Sequence, residues 1–353
     1  MALLRVGIAL VLAVAGCSKP AQPRDEPCDD CTDTATETEV PGECTGVTFT
    51  DSAGDERDLT KAFSEGEYTT LRKDGTLKIC PGEWFVRLTT TGKVAVEGDD
   101  KGTTTLSGGD SDTVVTVADG TLSVTRVHID RGHARGSGNA SKGGGILCEG
   151  GRKVTITDST FTNNTAFDGG AIFATAGCDI TATDVVFTDN TADDDGGTIG
   201  AYFDVSITLS RVTIEGGTAR DGGGIFVFDG ELDIADSTLS GNTATQIGGA
   251  IMNYESPMTV RDTTFSGNRA ESGGAILNVG YTTLERVDFT GNEAEDGGAV
   301  FAYTSATTEG TQCGFSANTP DDIAVGANAY TFGETVDFLC DGDGCDWDPV
   351  GIR

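Results

Sequence analysis

A tandem repeat dominates this sequence. The tetrapeptide Gly-Gly-x-Ile/Val recurs at a nearly constant spacing. Its apolar residue lies at Ile146, Ile172, Ile199, Ile225, Ile251, Ile276 and Val300. Because a unit this short cannot bury its own apolar face, successive units must pack against one another. We therefore expect a solenoid, in which each repeat contacts only its neighbours along one axis.

A second motif, Phe/Leu-x-x-Asn, follows each Gly-Gly motif by about half a repeat, with Gly in place of Asn in two copies. Asn and Gly both tolerate the left-handed backbone region, so this position predicts a turn with positive φ. Stacked amides at such a turn can pass hydrogen bonds from coil to coil. The predicted turn ladder consists of Gly132, Asn164, Asn190, Gly217, Asn242, Asn268, Asn292 and Asn318.

Strand periodicity precedes each Phe. Apolar or small residues lie seven, five and two positions before it, as in Val154, Ile156 and Ser159. Alternation by two indicates a strand with one buried face, and the later break in parity indicates a corner. Strands this closely spaced leave no room for helices between them. The sequence predicts an all-β fold, a right-handed single-stranded parallel β-helix with N- and C-terminal caps.

The residue three positions before each Phe is predicted to form an outward charge ladder, because every Asp there has an Arg in an adjacent repeat. Its members are Arg126, Asp158, Asp184, Arg211, Asp236, Asp262, Arg286 and Gln312.

Composition shifts divide the chain into five predicted parts. Residues 1–16 are a signal peptide, and residues 17–44, rich in Pro, Thr and acidic side chains, are a disordered tether. Residues 45–82 form an N-terminal cap, in which Asp58 is the predicted N-cap of a short helix. Residues 83–325 form the repeats, and residues 326–353 form the C-terminal cap.

The N-terminus predicts export. An apolar stretch from Val6 to Ala15 is too short to span a bilayer and is followed by Gly16 and Cys17. This segment resembles a bacterial lipoprotein signal, which implies cleavage before Cys17 and lipid attachment to that cysteine. Ser18 at the next position implies the outer membrane. An ordinary signal peptide with an incidental cysteine is the alternative.

The charge balance restricts the partners. Asp and Glu number 56 against 23 Lys and Arg, a formal net charge of -33, so nucleic acid would be repelled. We expect a monomer that needs no cofactor and contacts the membrane through its lipid anchor. Acidic residues near the C-terminus leave a calcium site open, although the bidentate Glu of a calcium loop is absent. These residues are Asp341, Asp343, Asp346 and Asp348.

Ten cysteines minus Cys17 leave an odd number. Cys313 falls at an inward repeat position and is predicted to be a buried thiol. The pairs Cys28/Cys31, Cys44/Cys80 and Cys340/Cys345 are predicted disulfides, which agree with an extracytoplasmic location. A bridge between Cys148 and Cys178 requires a tight corner to bring their Cα atoms within about 7 Å, and it is left open.

The paired motifs resemble the repeats of chlamydial polymorphic outer membrane proteins and of related bacterial lipoproteins with the pectin-lyase-like fold. They are carried by Gly169-Gly170-Ala171-Ile172 with Phe187-Thr188-Asp189-Asn190, and the resemblance covers about residues 140 to 320. It implies surface display and, for several members, adhesion. The function predicted on this basis is non-enzymatic binding of a polymer, or of a host or neighbouring cell-surface protein, at the bacterial outer membrane or cell surface.

A polysaccharide lyase or glycoside hydrolase is the alternative function, because folds of this shape also carry such enzymes. The candidate groups are the carboxylates of Asp193–Asp195 and Asp321–Asp322, and the basic insertion from Arg131 through Arg135 to Lys142. We read Asp193–Asp195 as a solvated turn before Gly196-Gly197 and expect no catalytic residue, so whether the protein is an enzyme stays open.

Overall fold

The repeats fold into a stack of coils. The structure, a computed structural model, describes residues 44–303 and 306–326, and the backbone of the strand Val336–Cys340. Apart from antiparallel pairs at the N-terminal end, the described strands pair in parallel with the equivalent strands of neighbouring coils. The predicted all-β parallel β-helix is confirmed.

Three sheets run along the stack, with 20, 11 and 4 strands in the described residues. The first sheet contains Val47–Asp51, Glu56–Asp58, Gly75–Ile79, Gly82–Phe85, Lys93–Gly98, Thr104–Ser107, Thr121–Thr125, His128–Asp130, Lys153–Thr157, Thr160–Thr162, Asp179–Thr183, Val186–Thr188, Ser206–Ser210, Thr213–Glu215, Glu231–Ala235, Thr238–Ser240, Pro257–Ser266, Tyr281–Thr290, Thr307–Ser316 and Val336–Cys340. The second sheet contains Tyr68–Leu71, Arg87–Thr90, Val115–Val117, Ile146–Glu149, Ile172–Thr175, Ile199–Tyr202, Ile225–Phe228, Ile251–Tyr254, Ile276–Asn278, Val300–Ala302 and Ile323–Val325. The third sheet contains Thr165–Ala166, Thr191–Ala192, Thr218–Asp221 and Thr243–Ile247. An α-helix spans Thr60–Glu65, and a 3-10 helix spans Gly138–Ser141.

Equivalent residues lie directly over one another. In the second sheet Ile146 pairs with Ile172, which pairs with Ile199. In the first sheet Phe161 pairs with Phe187, and their ring centroids lie 5.1 Å apart. The stacked apolar side chains form one buried cluster that extends from the N-terminal cap to the last described strand of the second sheet. A repeated sequence therefore produces a long, continuous core.

The left-handed residues lie one position earlier than predicted. Positive φ occurs at Asn163 (54°) and Asp189 (52°), whereas Asn164 and Asn190 are not among the positive-φ residues. The physical reason is that two adjacent residues have different roles. The residue with positive φ makes the turn, and the side-chain amide of the Asn that follows points into the stack and forms hydrogen bonds there. The charged column before each Phe is also left-handed, with φ between 46° and 57°, which explains the break in parity there.

Buried Asn amides connect the coils. The side chain of Asn242 donates to Asn268 Oδ1 at 3.0 Å, and Asn268 donates to Asn292 Oδ1 at 2.9 Å. Asn268 also donates to the Leu239 carbonyl at 3.0 Å, and its Oδ1 accepts the Asn242 backbone amide at 2.9 Å. Each amide thus satisfies backbone groups that no water reaches. The run is interrupted at Gly217, which has no side chain to offer.

Exposed ion pairs occupy the charged column. Arg211 binds Asp184 through two contacts of 2.7 and 2.9 Å, and Arg286 binds Asp262 in the same way. Asp158 pairs instead with Lys101 at 2.6 Å. Because these side chains are largely solvated, the pairs add little to stability.

The N-terminal cap closes one end of the stack. Val47–Asp51 pairs antiparallel with Glu56–Asp58 and Gly75–Ile79, and the helix Thr60–Glu65 buries Phe63 against the first coils. The N-cap residue is Leu59 and not the predicted Asp58. Asp58 lies one position before it, and its Oδ1 accepts a hydrogen bond from the Thr60 amide. No helix in the described part of the chain has the length and apolar character needed to cross a membrane.

Two disulfides are present in the described residues, Cys44–Cys80 and Cys148–Cys178. The second exists because the left-handed pair Ala176-Gly177 makes the tight corner it requires, with Cα atoms 6.2 Å apart. Cys313 is buried and has no disulfide partner among the described side chains. Other predicted positions lie outside the described side chains, namely Cys17, Cys28, Cys31, Cys340, Cys345, Asp341, Asp343, Asp346 and Asp348.

Candidate functional site

Aromatic side chains line the outward face of the second sheet. Because strand residues alternate in direction, each inward Ile of the repeat is followed by outward positions one and three residues later. These two outward columns contain Phe173, Tyr202, Phe226, Phe228, Tyr254, Phe301 and Tyr303. Phe173 and Phe226 are buried, and Phe226 belongs to a small cluster separate from the main core, whereas Tyr254 and Tyr303 are exposed. The face is therefore only partly open to solvent.

The rings from Phe173 to Tyr254 form a connected row, and Phe301 and Tyr303 form a separate pair. Tyr202 contacts Phe173 and Phe226, with ring centroids 5.6 and 5.1 Å away. Phe228 contacts Tyr254 at 5.2 Å and meets Phe203, in the adjoining turn, edge to face at 5.1 Å. Such pairs add about 0.5–1.5 kcal/mol each beyond their burial, so the row is a rigid surface.

Gly200 makes room for a polar contact within this row. A Cβ at Gly200 would lie 3.0 Å from the Gly169 amide nitrogen and 3.3 Å from the Asp195 carbonyl oxygen. Without that side chain, the Tyr202 ring spans the gap between its two Phe neighbours, and its hydroxyl donates to Asp195 Oδ2. The aromatic row therefore meets a column of carboxylates here.

The carboxylates precede the Gly-Gly motif in successive coils. Asp168, Asp195 and Asp221 are 3%, 7% and 8% exposed. Our reading of Asp193–Asp195 as a solvated turn was wrong for Asp195. The turn folds back against the next strand of the second sheet, which removes the carboxylate from water.

Two cations of the protein hold these acids together. Lys142 Nζ lies 2.7 Å from Asp168 Oδ2 and over the rings of Phe173 (4.6 Å) and Tyr202 (5.2 Å). Arg220 contacts Asp195 Oδ1 at 3.2 Å and Asp221 Oδ2 at 3.1 Å, and it also pairs with Asp194. We call the group of Asp168, Asp194, Asp195 and Asp221 with Lys142, Arg220 and Tyr202 the acidic centre.

Burial dominates the electrostatics of this centre. It raises the pKa of Asp195 to about 6, partly offset by the hydrogen bond from Tyr202. It also raises the pKa of Asp194 and that of the Tyr202 hydroxyl. Four carboxylates share two cations, so like-charge repulsion adds to the desolvation that burial imposes.

Oxygens of Asp168, Asp194 and Asp195 lie within 4.8 Å of one another, a donor set that would suit a hard cation. Lys142 and Arg220 already occupy that role, since each is ion-paired with members of the set. The acidic centre is thus a neutralising network that anchors the aromatic row.

The raised pKa of Asp195 predicts a pH dependence. The unfolded chain ionises this group near 3.8 and the folded chain near 6, so its stabilising contribution is present at low pH and is lost as pH rises through that window. As pH rises through this window, we expect the free energy of unfolding of Asp195→Asn to fall by about 2–3 kcal/mol less than that of the wild type. Denaturant unfolding of both proteins at about pH 4 and pH 7 measures the difference; parallel changes in both would contradict the assignment.

Beyond the acidic centre, part of the aromatic row faces solvent. Phe203 is 50% and Tyr254 36% exposed, and Phe228 between them is half-buried. We call these three residues the aromatic patch. Phe203 has φ 62°, a left-handed conformation that costs a bulky side chain roughly 1 kcal/mol or more. The fold places this ring in water at a conformational cost, with no gain to the core.

Exposed acids border the aromatic patch. The turns that follow the second-sheet strands carry Asp204, Asp229 and Glu255, all with positive φ. These acidic turns stack, since the Asp204 amide donates to the Asp229 carbonyl. In the part of the chain that the structure describes, none of the three forms an ion pair.

The basic insertion is dispersed. Arg131 pairs with Asp130 and Glu83, and Arg135 donates to the Asp110 carbonyl at 2.8 Å. Of the insertion, only Lys142 reaches the acidic centre.

The candidate carboxylate Asp322 lies at the end of the Asn ladder, where it accepts a hydrogen bond from Asn318 at 2.8 Å.

Sequence reasoning missed the aromatic patch. A signal was present, because Tyr202, Phe228 and Tyr254 recur once per repeat, each three positions after the repeat Ile. This recurrence indicates a surface only once the side chain three positions after the repeat Ile is known to lie on the outward face of the sheet, which the three-dimensional structure shows.

Comparisons with known proteins agree with the architecture. A family model described as the right-handed beta helix region matches residues 119–257, and one described as the Chlamydia polymorphic membrane protein repeat matches residues 262–279. No curated protein and no solved structure matches the chain. The matches confirm the resemblance in fold and repeat, and they indicate a bacterial surface or outer-membrane protein on a β-helix scaffold.

Proposed function

We propose that this β-helix protein with polymorphic-membrane-protein-type repeats is a lipid-anchored envelope protein that binds a polymer through its outward flank. The observation that carries the proposal is the solvent-exposed aromatic patch on the outward face of the second sheet. Exposed aromatic side chains offer large contact areas at a low cost in conformational entropy. The acidic tether would hold this face away from the membrane.

Binding is favoured over hydrolysis by the geometry of the acidic centre. A general acid must present its proton to the substrate, whereas Asp195 is engaged by Tyr202 at one oxygen and by Arg220 at the other. Two grooves of about 340 Å³ lie elsewhere on the described residues, beside Arg269 and Lys73. Neither is lined by the acidic centre.

The anchor is tested at Cys17. We expect Cys17→Ser to move the protein from the membrane fraction to the soluble fraction, because the diacylglyceryl group would have no attachment site. Membrane fractionation and intact mass report this, with Cys28→Ser as the matched control. Unchanged partitioning of Cys17→Ser would refute the anchor.

The binding surface is tested with the full mature chain carrying Cys17→Ser, which avoids lipid-driven aggregation. We expect it to be retained by members of an immobilised polysaccharide panel, and Phe203→Ser/Tyr254→Ser to weaken retention about tenfold or more. Phe85→Ser, which removes a ring 43% exposed in the N-terminal part, is the control. Retention that is equal for all three proteins would overturn the proposal.

A further inference from the structure

The protein already contains an ammonium group bound by rings and a carboxylate. Lys142 Nζ lies over the Phe173 and Tyr202 rings and pairs with Asp168. The negative face of an aromatic ring attracts a cation, and a nearby carboxylate strengthens the interaction. This face of the second sheet is thus suited to bind an amine.

The aromatic patch repeats these groups in the coils that follow, and no Lys or Arg of the described residues lies over its rings. Its rings adjoin the acidic turns, which are exposed and form no ion pairs within the described residues. A formal net charge of -33 adds a long-range field that attracts cations and repels polyanions. Charge complementarity therefore selects a positively charged ligand.

The spacing favours a polymer of rigid rings. Successive coils lie about 4.8 Å apart, close to the length of one sugar unit in an extended chain, so one sugar ring can lie against each coil. A rigid polysaccharide also loses less conformational entropy on binding than a flexible basic peptide does.

We propose that the aromatic patch and the acidic turns together bind a cationic amino-sugar polysaccharide. Sugar rings pack against Phe203, Phe228 and Tyr254, and the ammonium groups on the side of the chain that faces the acidic turns pair with Asp204, Asp229 and Glu255. The inference rests on the proposed function and names its ligand class.

The test uses the mature Cys17→Ser chain and calorimetry with four probes: a glucosamine hexamer, its N-acetylated form, a neutral glucan hexamer and oligolysine. We expect the glucosamine hexamer to bind at least tenfold more tightly than the other three, and added salt to weaken it. We expect Asp229→Asn/Glu255→Gln to reduce its affinity about tenfold. The charge-matched control Glu56→Gln/Glu67→Gln, on the N-terminal cap, should leave affinity unchanged.

The outcomes separate the two proposals. Equal binding of the N-acetylated or neutral hexamer would overturn the amino-sugar inference while leaving polymer binding intact. Preference for oligolysine, or an Asp229→Asn/Glu255→Gln variant with unchanged affinity, would overturn it as well. Failure to retain any polysaccharide would overturn both. Circular dichroism confirms that each variant keeps its β fold.

Discussion

Asn268→Ala is expected to lower the free energy of unfolding by about 2–6 kcal/mol, because it leaves buried polar groups without partners. The change removes a fully buried amide that accepts from Asn242 and donates to Leu239 and Asn292. Each orphaned buried group costs about 1–3 kcal/mol, and at least two are left. Because each coil stabilises its neighbours, the loss should extend to both sides. Denaturant unfolding gives the magnitude, and hydrogen exchange shows which coils open.

The control is Asn163→Gly. Asn163 is exposed, has φ 54° and makes one long contact of 3.4 Å to Asp130. Glycine adopts this backbone conformation freely, so we expect a change below about 1 kcal/mol. An Asn268→Ala protein as stable as Asn163→Gly would show that the buried ladder does not hold the coils together.

Removing the Cys148–Cys178 disulfide is expected to cost about 3–4 kcal/mol, because the unfolded chain loses a cross-link. The bridge closes a loop with a sequence separation of 30, and it restricts the unfolded chain accordingly. Both cysteines are fully buried between adjacent coils, so Cys148→Ala/Cys178→Ala also leaves a small void. The midpoint of guanidinium unfolding should fall, and reductant should lower the wild type towards the variant.

Cys313→Ala separates the bridge from the loss of thiol volume. Among the described residues Cys313 is buried and has no disulfide partner, and burial raises the pKa of its thiol, which lowers its reactivity. We expect a cost of about 1 kcal/mol and no added sensitivity to reductant. If the double variant lost no more than Cys313→Ala, the bridge would contribute nothing to stability.

The acidic centre and the aromatic patch divide the outward face. Lys142 and Arg220 neutralise the buried carboxylates beside Tyr202, whereas Asp204 and Asp229 have no basic partner in the described residues. The carboxylates of the acidic centre are therefore neutralised within the protein, whereas those beside the aromatic patch are available to a ligand.

Repeat-level features could be predicted from sequence. Stacking of the repeat Ile and Phe follows from their spacing, because identical short units can bury apolar faces only against each other. The left-handed residue was predicted one position too late. Asn is favoured at the ladder position for its buried hydrogen bonds and not for its φ. The Cys148–Cys178 bridge could not be judged because it depends on the corner at Ala176-Gly177.

The sequence by itself determined the β-helix, its coil length and its Phe and Asn columns, because these features are periodic and the same motif recurs in successive coils. Only the tertiary structure decided the acidic centre and the aromatic patch. Those sites join residues such as Lys142, Tyr202 and Arg220, which lie far apart in sequence and meet because the turns fold back over the sheet. Contacts of that kind depend on where side chains point in three dimensions, which a linear repeat does not encode.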